Sequence, residues 1–369
     1  MAQTWRITPL KVGVFRLIDF LGRPFKGMLR SPRPIAEEIR NVLVMEPWHI
    51  GDVVLATPIL RAIRARYATA RITVLGKPHA EELLRHSGLV DEVIVFDIPW
   101  TAKTRKYNPA RYDLRLLREL ISKLRARRFD LTLDARMDLR SNILTYLSRA
   151  PRRIGFDFGG GAFLLTDAVP AQPDEKHRVE DWLELMRPLG AQAASDIPRE
   201  SVEPMLRVSA EESEAAAAIL RKAGIGPDDV VVAIHGGASD PRRMWPAESF
   251  ERIAERLRVE NGVKTVFFLE PAAADRDIPG ASLVLRTSLR EMMALLSRCN
   301  LFLCNDSGPM HIADALGVPV VAVFLTGNPV WHRPYRSDQI VVGAGTGHDF
   351  LVAPTEDEIV AAAKKQLAR

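Results

Sequence analysis

Short apolar runs separated by helical patterns recur in two series along this chain, and that rhythm narrows the fold more than any other feature. The first series comprises residues 42–45, 71–76, 92–96 and 129–134, the last preceded by a helical pattern over residues 112–128. The second comprises residues 230–234, 264–269, 283–285, 301–304 and 318–324. Strands of a sheet covered on both faces are apolar throughout, and parallel strands require helical crossovers between them. The pattern therefore predicts α/β architecture with doubly wound parallel sheets. A polar, proline-bearing stretch at residues 188–204 separates the series. A chain of 369 residues exceeds what one core organises, so two such domains with a cleft between them are expected.

With 47% hydrophobic and 26% charged residues, the composition is that of an ordinary soluble fold, and the net charge of +5 favours an anionic partner. The basic excess gathers in the first half: Lys103, Arg105, Lys106, Arg111, Arg115, Arg118, Lys123, Arg125, Arg127 and Arg128, then Arg140, Arg149, Arg152 and Arg153. Aromatic residues do not interleave these charges and no duplex-reading motif is present, so no nucleic-acid partner is expected. Cys299 and Cys304 sit in apolar runs, which indicates neither a disulfide framework nor a zinc site. Crossing a bilayer takes roughly 20 apolar residues, and no run is that long.

Residues 1–35 form a basic extension. In it Phe15, Ile18 and Leu21 are expected to share a helical face among Arg6, Lys11, Arg16, Arg23, Lys26, Arg30 and Arg33. Arg16 and Asp19 interrupt the apolar part and no small-residue cleavage site follows, unlike a secretory signal. Such a segment either lies on an anionic membrane surface or packs on the protein itself, and the sequence leaves both open. The expected location is the cytoplasm, with peripheral contact at the inner leaflet of the cytoplasmic membrane.

Three segments carry chemistry. In the first, the apolar run 42–45 breaks at Gly51–Asp52 and passes into a helix from Thr57, placing a carboxylate near a strand's carboxyl end, where ligands collect in such folds. Asp52 either faces the cleft or merely caps a helix. In the second, the run 230–234 leads into His235, Gly236, Gly237, Ala238, Ser239, Asp240, Pro241, Arg242, Arg243, Met244, Trp245 and Pro246. Small residues admit a ligand to the backbone, and a hydroxyl with two arginines suits phosphate. In the third, Asn305–Asp306–Ser307–Gly308–Pro309–Met310–His311 ends a strand and starts a helix near Pro309. The free N–H groups there suit a diphosphate, whereas Asp306 suits sugar hydroxyls, and His311 is either a ligand contact or a packing residue. Neither a P-loop nor the dinucleotide-binding glycine fingerprint occurs. Asp134 and Asp138 lie a helical turn apart without supporting ligands, so no metal site is expected.

Together, Gly51–Asp52–Val53 with Thr57–Pro58, the Arg153–Ile154–Gly155–Phe156 turn, His177-x-Val179–Glu180, Arg243-x-Trp245–Pro246 and Asn305 to His311 resemble glycosyltransferase family 9, the ADP-heptose:lipopolysaccharide heptosyltransferases. The resemblance runs from about residue 40 to near the C-terminus. It implies a GT-B fold of two Rossmann-like domains facing a central cleft: an acceptor domain at residues 36–200, a nucleotide-sugar domain at 201–353, and a final helix at 354–369 crossing back to the first. It further implies an inverting, metal-independent transferase moving a heptose from an ADP-linked donor to a cell-envelope glycan or lipopolysaccharide core, with no cofactor beyond this co-substrate. By position, Asp52 is the catalytic base, with Gly51 and Arg140 on the acceptor side. Arg243 binds the donor diphosphate, Asp306 contacts the transferred sugar, and the Ser307 and Gly308 amides hold phosphate, with Gly236, Ser239 and His311 completing the donor site. Glu270 and Asp275 are both candidates for the nucleotide ribose, in a stretch that departs from the family's glycine-containing form. The expected partners are the nucleotide-sugar and an anionic glycan or glycolipid acceptor. A nucleotide-sugar epimerase of the same architecture and a non-catalytic nucleotide-sugar or glycan-binding protein are the competing readings.

Overall fold

The alternating runs pair side by side as two parallel six-stranded sheets in the computed structural model, which describes residues 9–29, 34–101, 112–171, 176–191, 202–270, 277–326, 328–336, 338–343 and 353–369. The chain divides into two compact units, one of residues 1–84 and 88–202, the other of residues 85–87 and 203–369. No described helix is long and apolar enough to cross a membrane.

The first unit runs α1 (Pro9–Gly22), β1 (Asn41–Met45), α2 (Ile50–Leu55), α3 (Thr57–Arg66), β2 (Arg71–Gly76), α4 (Pro78–Leu84), β3 (Glu92–Val95), α5 (Leu114–Ala126), β4 (Leu131–Asp134), α6 (Leu139–Leu147), β5 (Arg152–Phe156), β6 (Asp167–Val169) and α7 (Arg178–Leu183). Its strands order as β3-β2-β1-β4-β5-β6. The winding reverses between β1 and β4, where Met45 lies opposite Asp134. At such a reversal the crossovers leave in opposite directions and open a crevice at the strand ends. The core beside this sheet is formed by Leu43, Met45, Leu75, Ile94, Trp100 and Phe129, onto which α5 lays Leu120 and Leu124 while turning its arginines outward.

The second unit repeats the plan: α8 (Ala210–Lys222), β7 (Val231–His235), α9 (Ala247–Asn261), β8 (Lys264–Phe268), β9 (Leu283–Leu285), α10 (Leu289–Leu296), β10 (Leu301–Asn305), α11 (Gly308–Ala315), β11 (Val320–Val323), α12 (Pro329–His332), β12 (Ile340–Val342) and α13 (Glu356–Leu367). The order β12-β11-β10-β7-β8-β9 puts the reversal between β7 and β10, with Cys304 opposite His235.

One expectation needs correction. The Arg153–Phe156 segment is not a turn but the strand β5, because Ile154 and Phe156 are buried and it ladders onto β4. The short strands β6 and β12, each of three residues at an edge of its own sheet, were not expected from the sequence. The helix within 354–369 is α13, whose Ile359, Val360 and Ala363 are buried in the second unit's own core. Fully burying side chains the size of Ile359 and Val360 contributes about 1.5–3 kcal/mol each, which fixes α13 there.

The N-terminal helix docks on the first unit through one face. Asp19 accepts a hydrogen bond from the Ala162 N–H at 2.7 Å, and the Phe163 ring presses where a side chain at Gly22 would stand. Phe15 and Ile18 lie on this half-buried side, but Leu21, expected to join them, is 59% exposed. With Val14 and Leu17 it forms an outward apolar row at helical spacing, continued by Phe20, Phe25 and Met28 and flanked by the exposed Arg16, Arg23 and Lys26.

The docking loop depends on glycine. Gly159 adopts φ +86°, where a Cβ would collide with the Met137 carbonyl, while its own carbonyl accepts from the Leu139 N–H. Gly159→Ala is expected to lower stability by about 1–3 kcal/mol, seen as an earlier urea midpoint at unchanged slope. A superimposable unfolding curve would show that the loop relaxes freely.

Candidate active site

At the reversal point of the first sheet, the residues leaving β1 and β4 meet around one guanidinium. Glu46 extends β1 by one ladder hydrogen bond, its N–H donating to the Leu75 carbonyl at 3.0 Å, and is only 1% exposed. Arg136, two residues past β4, is oriented by donating its N–H to Asp134 Oδ1 at 2.8 Å. Its Nη2 lies 2.9 Å from Glu46 Oε1 and 2.9 Å from Asp52 Oδ1. Trp48 and Trp182 flank it, with ring centroids 4.9 and 5.2 Å from the guanidinium carbon. This cation–π sandwich repays part of the hydration that the charge gives up on burial.

Asp52 does not sit in an open turn but in the first turn of α2. Its Oδ2 accepts from the His49 N–H at 3.2 Å while Oδ1 faces Arg136, and its side chain is 22% exposed. Capping α2 and pairing with Arg136 are therefore simultaneous, because a carboxylate has two oxygens. On α7, Arg178 pairs with Asp181 at 3.2 Å and also feels the charges of Arg136 and Asp52. His177 caps that helix, its Nδ1 accepting from the Val179 N–H. Burial pushes Glu46 up to about 7, with Arg136 opposing it and Asp52 reinforcing it. Burial likewise pushes Asp181 up to about 7 against the pull of Arg178. Arg140 pairs with Asp138, the cap of α6, and lies 5.6 Å from the Trp100 ring.

At the reversal point of the second sheet, Asn305 is the tie. Its Nδ2 donates to the Gly236 carbonyl at 2.8 Å, and its Oδ1 accepts from the Trp245 N–H at 3.1 Å. The loop after β7 is thus pinned to the end of β10, and Trp245 is locked edge-on against Phe250. The neighbouring arginines then diverge. Arg242 turns outward to Asp240, whereas Arg243 turns inward to Asp306, its Nη1 3.2 Å from Oδ2. Asp306 is 3% exposed, and the Ser307 Oγ beside it is buried with no hydrogen-bond partner among the described residues. Gly308 opens α11, with Pro309 in its first turn and His311 buried one turn in. The N–H groups of that first turn have no helical partners of their own.

The remaining expected donor residues fall around the same loop. Gly237 packs against the Glu270 carboxylate so closely that a Cβ would have to displace it, and Glu270 lies 3.3 Å from the buried His235 Nε2. Glu270 is half-exposed, Ser239 is exposed, and Asp275 lies outside the described residues. Gly51 stands beside Asp52 in the first turn of α2. The sequence reading missed Glu46, Trp48, Arg136, Arg178, Asp181 and Trp182. Glu46 and Arg136 carried the available signal, each a charged residue within two positions of a buried strand's end. Asp134 and Asp138, expected one helical turn apart, instead end β4 and cap α6. Among the described residues, no three His, Cys, Asp or Glu side chains converge as a metal-ligand set.

The sequence profile of glycosyltransferase family 9 (heptosyltransferase) matches residues 117–354, well over half the chain. This chain belongs to that family and is a glycosyltransferase, so the epimerase and non-catalytic readings give way. Lipopolysaccharide heptosyltransferase 2 of Salmonella typhimurium is 25% identical over 322 residues, spanning 84% of this chain and 89% of that one. Lipopolysaccharide heptosyltransferase 3 of Escherichia coli is 26% identical over 329 residues, with the same coverage. Among solved structures, a family 9 glycosyltransferase from Veillonella parvula aligns with TM-score 0.76 at 23% identity, covering 90% of this chain and 98% of that one. ADP-heptose heptosyltransferase II of E. coli aligns with TM-score 0.72 at 23% identity, covering 89% and 98%. The fold is GT-B.

The two raised carboxyls set a pH dependence. A folded-state value above the unfolded one means the native protein holds protons that the unfolded chain has released. The contribution of Glu46 and Asp181 to stability is therefore greatest at low pH and is lost as pH rises from about 4 through about 7. Glu46→Gln and Asp181→Asn are each expected to flatten part of that fall, seen as a smaller drop in melting temperature between pH 5 and pH 8. Identical slopes in wild type and variants would contradict the burial penalty.

Proposed function

We propose that this protein transfers a heptose, with inversion and without a metal, from ADP-heptose bound by the second unit to a lipopolysaccharide core sugar bound by the first. The nature of donor and acceptor rests on the relatives, named as lipopolysaccharide heptosyltransferases. The observation that carries the chemistry is the Arg243–Asp306 pair at the start of α11, beside the unpartnered Ser307 hydroxyl. There a diphosphate would meet Arg243 and the helix N–H groups, while Asp306 would accept from hydroxyls of the transferred sugar. Glu270 is the proposed ribose contact, and Gly51, Arg140 and Arg178 stand on the acceptor side.

In the proposed step Asp52 takes the proton of an acceptor hydroxyl as its oxygen bonds to the anomeric carbon. The bond from that carbon to the diphosphate breaks, and the leaving nucleoside diphosphate keeps the electron pair. Arg243 and the α11 N–H groups stabilise the developing charge, a role typically worth several kcal/mol per donor. Asp52→Asn retains an oxygen for the His49 N–H but cannot accept the proton. Its ADP release from ADP-heptose in the presence of core acceptor is expected to fall by about 100-fold or more. The melting-temperature rise given by ADP should persist, since the second unit is untouched. Turnover near the wild-type rate would overturn the assignment of Asp52.

The same proposal places the protein on an anionic membrane surface through the outward row of α1. Leu17→Glu combined with Leu21→Glu leaves the docked face intact and puts charge where lipid would be. Retention on vesicles containing phosphatidylglycerol is expected to drop about tenfold or more, with no change on phosphatidylcholine. Equal retention of the variant and wild type would rule the surface out.

A further inference from the structure

A carboxylate paired one-to-one with an arginine is held ionised and is a poor proton acceptor, so Arg136 alone would weaken Asp52 as a base. The structure contains a second carboxylate on the same guanidinium nitrogen. Glu46 Oε1 and Asp52 Oδ1 each lie 2.9 Å from Arg136 Nη2, so one cation serves two anions. Besides Arg136, the Trp48 backbone N–H steadies the Glu46 carboxyl, while Glu46 Oε2 and Arg136 Nε are buried with no hydrogen-bond partner among the described residues. A buried carboxylate placed where the sheet would accept an apolar side chain contributes little to folding even when paired. Its position therefore calls for another explanation.

We propose that Glu46 is a positioning residue for Asp52, acting through Arg136. Because the two carboxylates share one nitrogen, the ionisation of Glu46 sets how much of the cation Asp52 receives, and with it how strong a base Asp52 is. With Glu46 ionised, Arg136 is divided and Asp52 also feels a nearby like charge, so it holds a proton more readily. With Glu46 protonated, Arg136 belongs to Asp52 alone. The pinning of Arg136 between Trp48 and Trp182 keeps the guanidinium from following either partner. The other charged groups around this centre are Asp134 and Asp138 after β4, Lys77 and His79 at the start of α4, and Arg178 and Asp181 on α7. None of these is placed on the shared nitrogen. Glu46 also titrates in the range where such a switch operates, since burial holds its carboxyl near 7.

The inference rests on the reading of Asp52 as the base, and two readouts separate failure of one from failure of the other. The first needs no turnover. In protein labelled with 13C at aspartate side-chain carboxyls, the Asp52 resonance is assigned by its loss in Asp52→Asn. In Glu46→Gln its titration is expected at lower pH than in wild type, with an acid constant about tenfold larger. The second is the pH profile of kcat/KM with ADP-heptose and core acceptor. In Glu46→Gln the ascending limb is expected to move to lower pH and the plateau to fall about three- to thirtyfold. The affinity for ADP should stay unchanged. A role for Glu46 in packing alone would shift stability but neither titration. If Glu46→Gln fails to fold, Arg136→Lys replaces it: the shorter, single-point cation cannot span both carboxylates, and the Asp52 titration should move to higher pH. An Asp52 titration unmoved in the folded variant overturns the inference. Absence of turnover by wild type would instead overturn the function on which it rests.

Discussion

Parallel strands deliver their carboxyl ends to one side of a sheet, and where the winding reverses, residues from two non-consecutive strands must share a small space. In the first unit that space holds Glu46, Asp134 and Asp52, three carboxyls within reach of each other's fields. Arg136 makes the arrangement tenable. It is half-buried, set against two indole rings, and bonded to two of the three acids. Without it the site would hold uncompensated buried charge, which the desolvation penalty forbids. Burial still wins over attraction at Glu46, which is why its proton is held to about 7.

The second unit solves the same geometric problem with a neutral side chain. Asn305, fully buried at the end of β10, donates to one loop carbonyl and accepts from one loop N–H, closing two hydrogen bonds that water cannot reach. That fixes Trp245, and with it the course of the loop on which Arg243 turns in toward Asp306 while Arg242 turns out. A permanent charge, a buried carboxylate and unpaired helix N–H groups then coincide at one turn. This combination favours an anionic leaving group beside a polyol, which is the chemistry of a nucleotide-sugar.

The N-terminal helix shows how one amphipathic segment serves two surfaces. Its register puts Phe15, Ile18, Asp19 and Gly22 toward the first unit and Val14, Leu17 and Leu21 away from it. Asp19, which interrupts the apolar pattern in the sequence, is the residue that anchors the docked face. Leaving an apolar row in water is unfavourable, and the flanking Arg16, Arg23 and Lys26 give that row an electrostatic preference for an anionic surface.

Periodicity alone disclosed the two parallel sheets, because strands covered on both faces must be continuously apolar and β1, β2, β4, β7, β8, β10 and β11 are. It could not disclose β5, β6 or β12, whose sequences gain meaning only from the strand beside them. The motif residues Asp52, Arg243 and Asp306 were legible because each sits in a loop or helix start that follows an apolar run and brings charge there. The partnership of Glu46 with Arg136 was not, since the two lie 90 positions apart and meet only when β1 and β4 pair. Local sequence determined which segments form strands and helices and which loops carry charge. Tertiary structure decided which charges meet, because the strength of a carboxylate as a base depends on burial and on neighbours within a few ångströms, and folding alone sets both.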